Sequence, residues 1–444
     1  RRLRGRHRRG LDPGPDRAGD FRGAMIAIPA GLLPLLEQAR SSAAKRRISI
    51  ALVGGSVRDL LLGRAPHDLD FAVLGDAAGL ARAVANALEG AFYVMDAERG
   101  TARVIVDGLT LDFARCRGAT LDDDLRGRDL TLNAIAIWLP LDGSMPGQMA
   151  LYDPLGGAKD LSDKVIRLAS PDAIANDPVR AMRVARFAAD LDARIDPAAE
   201  MAARAAGPRL AAADGPSAER TRDELLKALA LPKASAAVDL LAALDLLNIV
   251  LPEAAARPPA TLRAIDALLE QAARRAPRLS ARLAEPLANA PRLAILRLVA
   301  LCAGASPAAV EGRALALKVS AAEVARARTI RAGAALSEAL RDARAEYRWM
   351  RAAREAAPEA ALLGMALDPA IAEIGWGLLE HFEARYAPEV APRPLLGGRD
   401  VLALGVGPGP AVGAALEAVR EAQMIGEIVT REQALALARW VIGV

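Results

Sequence analysis

The pattern of apolar and polar positions is sharpest over residues 48–74. An apolar run at 48–53 reads as a strand and stops at Gly54-Gly55-Ser56. A short amphipathic helix carrying Arg58 and Asp59 follows, then Gly63-Arg64, then a second strand opening with Asp68-Leu69-Asp70. After Asp76, Leu80, Val84 and Leu88 share one face of an expected helix. Residues 91–95, 102–106 and 109–113 read as short strands, with Asp107-Gly108 as a hairpin turn. Residues 151–157 and 161–170 read as a linker and a closing strand. A new helix then starts with Asn176 or Asp177 as its cap and Pro178 in its first turn. On it Arg180, Arg183 and Arg186 form one drifting stripe, while Phe187 and Leu191 turn the other way, into a core. From 234 to about 390, Ala, Leu, Arg and Glu recur at helical spacing, broken at Pro252, Pro258, Pro286 and Pro307. No repeat of fixed period is present.

Composition sharpens this picture. A chain of 444 residues is expected to hold two to four modules, and only 3% aromatic residues argues for long helices over extensive sheet. The longest apolar runs are broken by charge before a membrane-spanning length, so no membrane segment is expected. Two distant cysteines, Cys116 and Cys302, suggest neither a disulfide framework nor a zinc site, which is consistent with a reducing cytosol. Residues 1–24 hold eight Arg against three Asp, so the rest of the chain carries about one net negative charge of the overall +4. They lack the apolar stretch of a signal peptide. They are expected to be a disordered or non-native basic extension, with Met25 as the start; a basic arm for RNA is the alternative.

Strand side chains alternate faces, so Asp68 and Asp70 project to one side, about 7 Å apart. Adjacent carboxylates repel unless cations lie between them, and such hard oxygens suit Mg²⁺. The glycine turn at Gly54, Gly55 and Ser56 enters a helix, where free backbone N–H groups suit phosphate oxygens. Either feature alone is ordinary. In the order strand, GGSVRD, LLGR, DLDF, the segment resembles the nucleotidyltransferase head of bacterial (class II) tRNA CCA-adding enzymes and their poly(A) polymerase relatives.

That resemblance implies an α+β fold: a small head with a mixed β-sheet, followed by an all-α neck, body and tail. It divides the chain into the extension at 1–24, a nucleotidyltransferase head at 25–168, nucleotide-selecting neck helices at 169–235, a helical body at 236–393 and a helical tail at 394–444. Asp112, in LTLDFARCR, would complete an acidic triad with Asp68 and Asp70 that is both catalytic and metal-binding. Its hairpin is expected to lie against the strand of Asp68 and Asp70, and burial there would require a cation. LRGRDLTLNAIAI (125–137) is similar to the family's RRDFTxNA motif, with Gly127 in place of the first Arg and Leu130 in place of Phe. By that likeness Arg128 contacts the triphosphate, as does Arg58; Asp129 orients it or caps the turn, and Asn133 holds the sugar or the loop. An ion pair to the Asp122-Asp123-Asp124 run, itself read as a solvated helix start, is the plain alternative for Arg128.

NDPVRAMRVARF resembles the family's (E)DxxR…R…RF motif, with Asn176 replacing the Glu. The implication is a protein template. Asp177 would accept from an exocyclic amine and Arg180 would donate to a ring nitrogen or carbonyl, with Arg183 and Arg186 steadying base or phosphates. Cytosine and adenine share an amine beside an acceptor nitrogen; uracil and guanine present a carbonyl there. Glu219, Arg220 and Glu224 are similar to an ERxxxE brace, with no chemistry assigned and no capping box at Ser217. The segment 394–440 resembles the family's tail, with a helix from Arg399-Asp400 and a Gly/Pro turn at 405–410 whose following helix start suits a tRNA phosphate.

The implied activity is two-metal, template-independent transfer of CMP and AMP from CTP and ATP to the tRNA 3′ end in the cytoplasm, with Mg²⁺ as cofactor. Its rivals are a poly(A) polymerase, a CC-adding or A-adding enzyme, and, from another class, an idle RNA-binding protein. An idle homologue has no need to keep both carboxylates.

Overall fold

A computed structural model describes residues 25–66, 68–143, 145, 147–256, 260–288, 290–336 and 342–444. The basic extension and the joint at Pro258 lie outside the described residues. The chain divides into two compact units, Arg1–Ala206 and Gly207–Val444, so the neck expected at 169–235 is shared between them.

The first unit opens with β1 (Met25–Ala27), α1 (Leu33–Arg46), β2 (Ser49–Val53), α2 (Gly55–Leu61), β3 (Asp68–Leu74) and α3 (Ala77–Leu88). Then come β4 (Ala91–Asp96), β5 (Thr101–Val106), β6 (Leu109–Arg115), α4 (Leu121–Arg126), β7 (Ala136–Leu139) and β8 (Gln148–Ala150). It closes with α5 (Gly157–Ser162), β9 (Val165–Ile166), α6 (Ala173–Asn176), α7 (Arg180–Leu191), β10 (Arg194–Ile195) and α8 (Pro197–Ala205). Six strands form one sheet in the order β4-β5-β6-β3-β2-β7. β3 and β6 run parallel and every other neighbour is antiparallel, which makes the sheet mixed.

Alternation assigns the two faces. Leu69, Phe71 and Val73 of β3, Leu111 and Phe113 of β6, and Ala102 and Val104 of β5 are buried in one core with Leu36 of α1 and Leu80 and Val84 of α3. Phe71 and Phe113 stack there with centroids 4.8 Å apart, worth about 1 kcal/mol beyond the area they bury. Asp68, Asp70, Arg103 and Asp112 therefore fall on the opposite face. There α4 covers only the part around Val53, Ala72 and Ala136. α3 starts where its side-chain cap predicts, with Asp76 accepting from the Gly79 N–H.

Three local expectations change. The 151–170 stretch holds a helix between the expected linker and strand: the Asp153 carboxylate accepts from the N–H groups of Gly157 and Ala158 at the start of α5. The strand that follows is only β9, which pairs in parallel with β10 outside the main sheet. Neither Asn176 nor Asp177 caps α7. Asp177 is extended at the end of α6, and Val179 takes the cap position without a side-chain bond.

The Gly207–Val444 unit is built of helices in its described residues. Arg297 is fully buried in it, donating to the carbonyls of Leu229 and Pro232 and to Asp266. Ser217 caps the Ala218–Leu229 helix without a capping box. Glu219 pairs there with Lys318, and Glu224 with Lys227. The tail helices Gly398–Leu402, Pro410–Ile425 and Arg431–Ile442 pack around Val401, Val419, Ala434 and Ala438, with the expected Gly/Pro turn between the first two. No helix among the described residues is long and apolar enough to cross a membrane.

Candidate active site

The carboxylates meet through strand register. Asp70 lies beside Asp112 in the parallel β3–β6 pair, and Asp68 lies two residues back on the same face. Asp68 is exposed, whereas Asp70 and Asp112 are half-buried. Burial, opposed by Arg128 and reinforced by Asp112 and Asp68, pushes the Asp70 carboxyl up to about 6. Ser56 fixes this strand: its hydroxyl donates to the Asp68 carbonyl and accepts from the Asp70 N–H, and the side chain is 2% exposed. Ser56 thus braces the strand that carries the carboxylates.

The cation that Asp112 needs is a protein side chain. Arg103, opposite it on β5, donates from Nε and Nη2 to both carboxylate oxygens at 2.7 Å. Sequence reading missed Arg103, although the hairpin turn carries the signal. Counting outward from Asp107-Gly108 pairs Val106 with Leu109, and hence Arg103 with Asp112.

Gly54 is where the cationic side begins. Its φ of 72° lies in the region open to glycine, and a Cβ there would meet Arg128 Nη1 at 2.7 Å and Asp70 Oδ2 at 3.4 Å. Arg128 therefore reaches across the glycine turn toward Asp70. Its Nε and Nη2 donate to Asp124, a buried member of the acidic run, so the ion-pair alternative holds for that edge. The run is more than a solvated start: Asp123 completes a capping box with Thr120, and Asp122 accepts from the Tyr152 hydroxyl. Gly55 is the first residue of α2, and Arg58 on that helix donates to the Asn133 side-chain oxygen at 2.7 Å and to Asp59. Asn133 in turn donates to Asp129, so it holds the loop.

Asp129 is 6% exposed and also accepts from Arg183 Nε at 2.6 Å. Burial alone would raise its pKa; the charge and hydrogen bond of Arg183, with Asn133 and the Leu130 backbone, hold it below the usual range. Arg180 donates to the carbonyls of Gly127, Arg128 and Ala173, and lies 3.6 Å from Asp177. Arg186 packs on the Phe187 ring at 4.2 Å. Phe187 is buried as expected yet does not turn away from the stripe, because Arg58 and Arg183 also lie over its ring, at 5.0 and 5.4 Å. All ten expected nucleotide-contacting residues thus belong to one unit, from Gly54 to Arg186.

Comparison with known proteins gives the lineage. Residues 50–167 match the poly A polymerase head domain, and residues 194–257 match the probable RNA and SrmB-binding site of polymerase A. The A-adding tRNA nucleotidyltransferase of Deinococcus radiodurans is 34% identical over 426 residues, 88% of this chain and 95% of that protein. The chain belongs to the class II tRNA nucleotidyltransferase and poly(A) polymerase family. Another nucleotidyltransferase, the CC-adding enzyme of Geobacter sulfurreducens, is 45% identical over 184 residues; this match spans 41% of the present chain and 40% of that relative. The Thermotoga maritima CCA-adding enzyme complexed with tRNA shares the fold over 93% of this chain and 96% of its own, with a TM-score of 0.65 at 24% identity.

Nucleotidyltransferases of this family use a divalent metal. Asp68 and Asp70 offer hard anionic oxygens on one face of one strand, with Asp112 beside Asp70 in the next, so this pair fits such an ion. Among the described residues no three acidic, His or Cys side chains converge as a ready cage. Each Asp112 oxygen accepts one bond from Arg103 and keeps a further lone pair with which it can join the pair.

Proposed function

We propose that this protein transfers CMP and AMP from CTP and ATP to the 3′ end of tRNA, releasing pyrophosphate, in the cytoplasm. The observation that carries the reading is the meeting of the Asp68/Asp70 pair with Gly54 and Arg128 on one open sheet face. In this reaction the primer 3′-oxygen bonds to the α-phosphorus and the α–β bridge breaks. Asp68 and Asp70 would hold Mg²⁺, with Asp112, held by Arg103, as the third donor; the metal would lower the charge barrier on attacking and leaving oxygens. Arg128 and Arg58 hold the triphosphate beside the Gly54–Gly55 turn. Asp129 fixes Arg183, and Arg183 and Arg186 with Phe187 form the floor under the nucleotide. Asp177 and Arg180 read the base edge that cytosine and adenine share. Three backbone carbonyls pin the Arg180 guanidinium, which therefore needs no reorganisation when a base arrives. The head is residues 25–168, with the neck at 169–235, while the body at 236–393 and tail at 394–444 hold the tRNA.

A partial mode is the second reading, supported by the full-length likeness to an A-adding relative. The test is incubation with tRNA transcripts lacking one, two or all three terminal nucleotides, with each nucleoside triphosphate in turn. Full CCA addition predicts extension of all three. Extension only of the transcript lacking one nucleotide, or only up to CC, selects the partial mode; AMP runs select poly(A) synthesis, and no incorporation refutes the transferase reading.

A further inference from the structure

The face that carries the carboxylates does not end at them. Register across four strands places Asp70 beside Asp112, Asp112 beside Arg103, and Arg103 beside Tyr93 on the edge strand β4. Directly opposed residues share a face, so the four form one row about 14 Å long across three strand spacings. Its outer end is open. Tyr93 is 54% exposed and Ile105 39%, and among the described residues the core on this face, around Val53, Ala72 and Ala136, includes neither. Arg103 spends Nε and Nη2 on Asp112, and its side chain is 37% exposed, so Nη1 lies outside that bidentate pair.

Phosphoryl transfer sets attacking and leaving oxygens roughly in line. Gly54, Arg58 and Arg128 lie on the β2–α2 side of β3, and they suit the triphosphate whose pyrophosphate leaves. The nucleophile must then approach from the other side of β3, which is the side of β6, β5 and β4. From this, and resting on the transferase reading above, we propose that Arg103 and Tyr93 seat the 3′ end of the RNA primer. Arg103 orients Asp112 and meets a backbone phosphate near the terminus; Tyr93 offers its ring to a base of the terminal nucleotides. A guanidinium beside an exposed ring, continuous with the catalytic carboxylates, suits single-stranded RNA, whose bases stack on aromatics without sequence preference.

The test compares Tyr93→Ala, Tyr93→Phe and Arg103→Gln with wild type in the full-length protein. In steady-state extension of a tRNA transcript lacking its terminal nucleotides, Tyr93→Ala should raise KM for RNA about tenfold, the scale of one lost stack, while KM for CTP stays within about twofold. Tyr93→Phe should restore it. Without turnover, in EDTA, RNA affinity of Arg103→Gln should fall less steeply with salt, by about one released ion. If wild type extends RNA and Tyr93→Ala leaves KM for RNA within twofold, the primer seat is wrong while the transferase reading stands. Equal change in both KM values with a lowered Tm, unrescued by Phe, also overturns it as a mere fold defect. An unchanged salt slope removes Arg103 from the seat, and failure of wild type to extend any transcript overturns the reading beneath the proposal.

Discussion

Asp129 is the most quantifiable joint of the site, and Asp129→Ala is the perturbation that tests it. The carboxylate is 6% exposed and accepts from the Asn133 amide at 3.1 and 3.3 Å and from Arg183 Nε at 2.6 Å. Asn133 is 5% exposed, so its amide would be left buried without an acceptor, at about 2 kcal/mol. The Arg183 side chain is 28% exposed, and water recovers part of what it loses, leaving about 1 kcal/mol. The expected loss is about 3 kcal/mol, or about 6–12 °C in Tm for a unit of this size. Urea unfolding with an unchanged slope measures it directly. The pH dependence gives an independent check. Because the folded pKa of Asp129 lies below its unfolded value, the stabilisation is fully present above about pH 4 and disappears as pH falls through the folded pKa. The gap between wild type and Asp129→Ala should therefore be flat at neutral pH and narrow in acid. A loss under about 1 kcal/mol, or a gap that persists unchanged into acid, would refute the reasoning.

Asp68→Ala and Asp70→Ala should each lower incorporation more than tenfold, about 1.4 kcal/mol or more, with tRNA affinity within a few-fold; a mutant retaining a tenth of the rate sinks the metal assignment. Gly54→Ala should lose about 1–3 kcal/mol of stability from its positive φ and raise KM for CTP, because the new methyl meets Arg128 Nη1; normal Tm with normal KM would contradict the close approach. Asp177→Ala should lower C and A incorporation by about 2–3 kcal/mol and narrow the CTP-to-UTP ratio of kcat/KM; an unaltered ratio means that another group reads the base.

The sheet was legible because one periodicity and the turn residues agree. Alternation puts Leu69, Phe71 and Val73 on one face and the aspartates on the other, and the Gly54 turn and the Asp107-Gly108 turn punctuate the strands where they end. Pieces lacking such a signal were not readable. β1 and β8 are three residues each, and β9 and β10 two each, too short for any period to show; they exist because partners distant in the chain supply their hydrogen bonds. The start of α5 was readable in principle, since Asp153 precedes Gly157 by four residues and caps it, but the Gly-Gly pair reads first as a loop.

The arginine stripe marks the deeper boundary of what sequence can say. Helical spacing correctly gathers Arg180, Arg183 and Arg186 on one side of α7, yet the three do different work. Arg180 is tied to carbonyls at 127, 128 and 173, Arg183 to the Asp129 carboxylate, and Arg186 lies on the face of Phe187. A guanidinium is always charged and always has five donors, so its own position predicts only that it will find acceptors. Which acceptors it finds is decided here by a turn more than fifty residues earlier in the chain. That turn, Gly127-Arg128-Asp129, is also where the sequence departs from the family motif by carrying Gly for Arg. Its backbone carbonyls, to which residue type gives no clue, are what fix Arg180 beside Asp177.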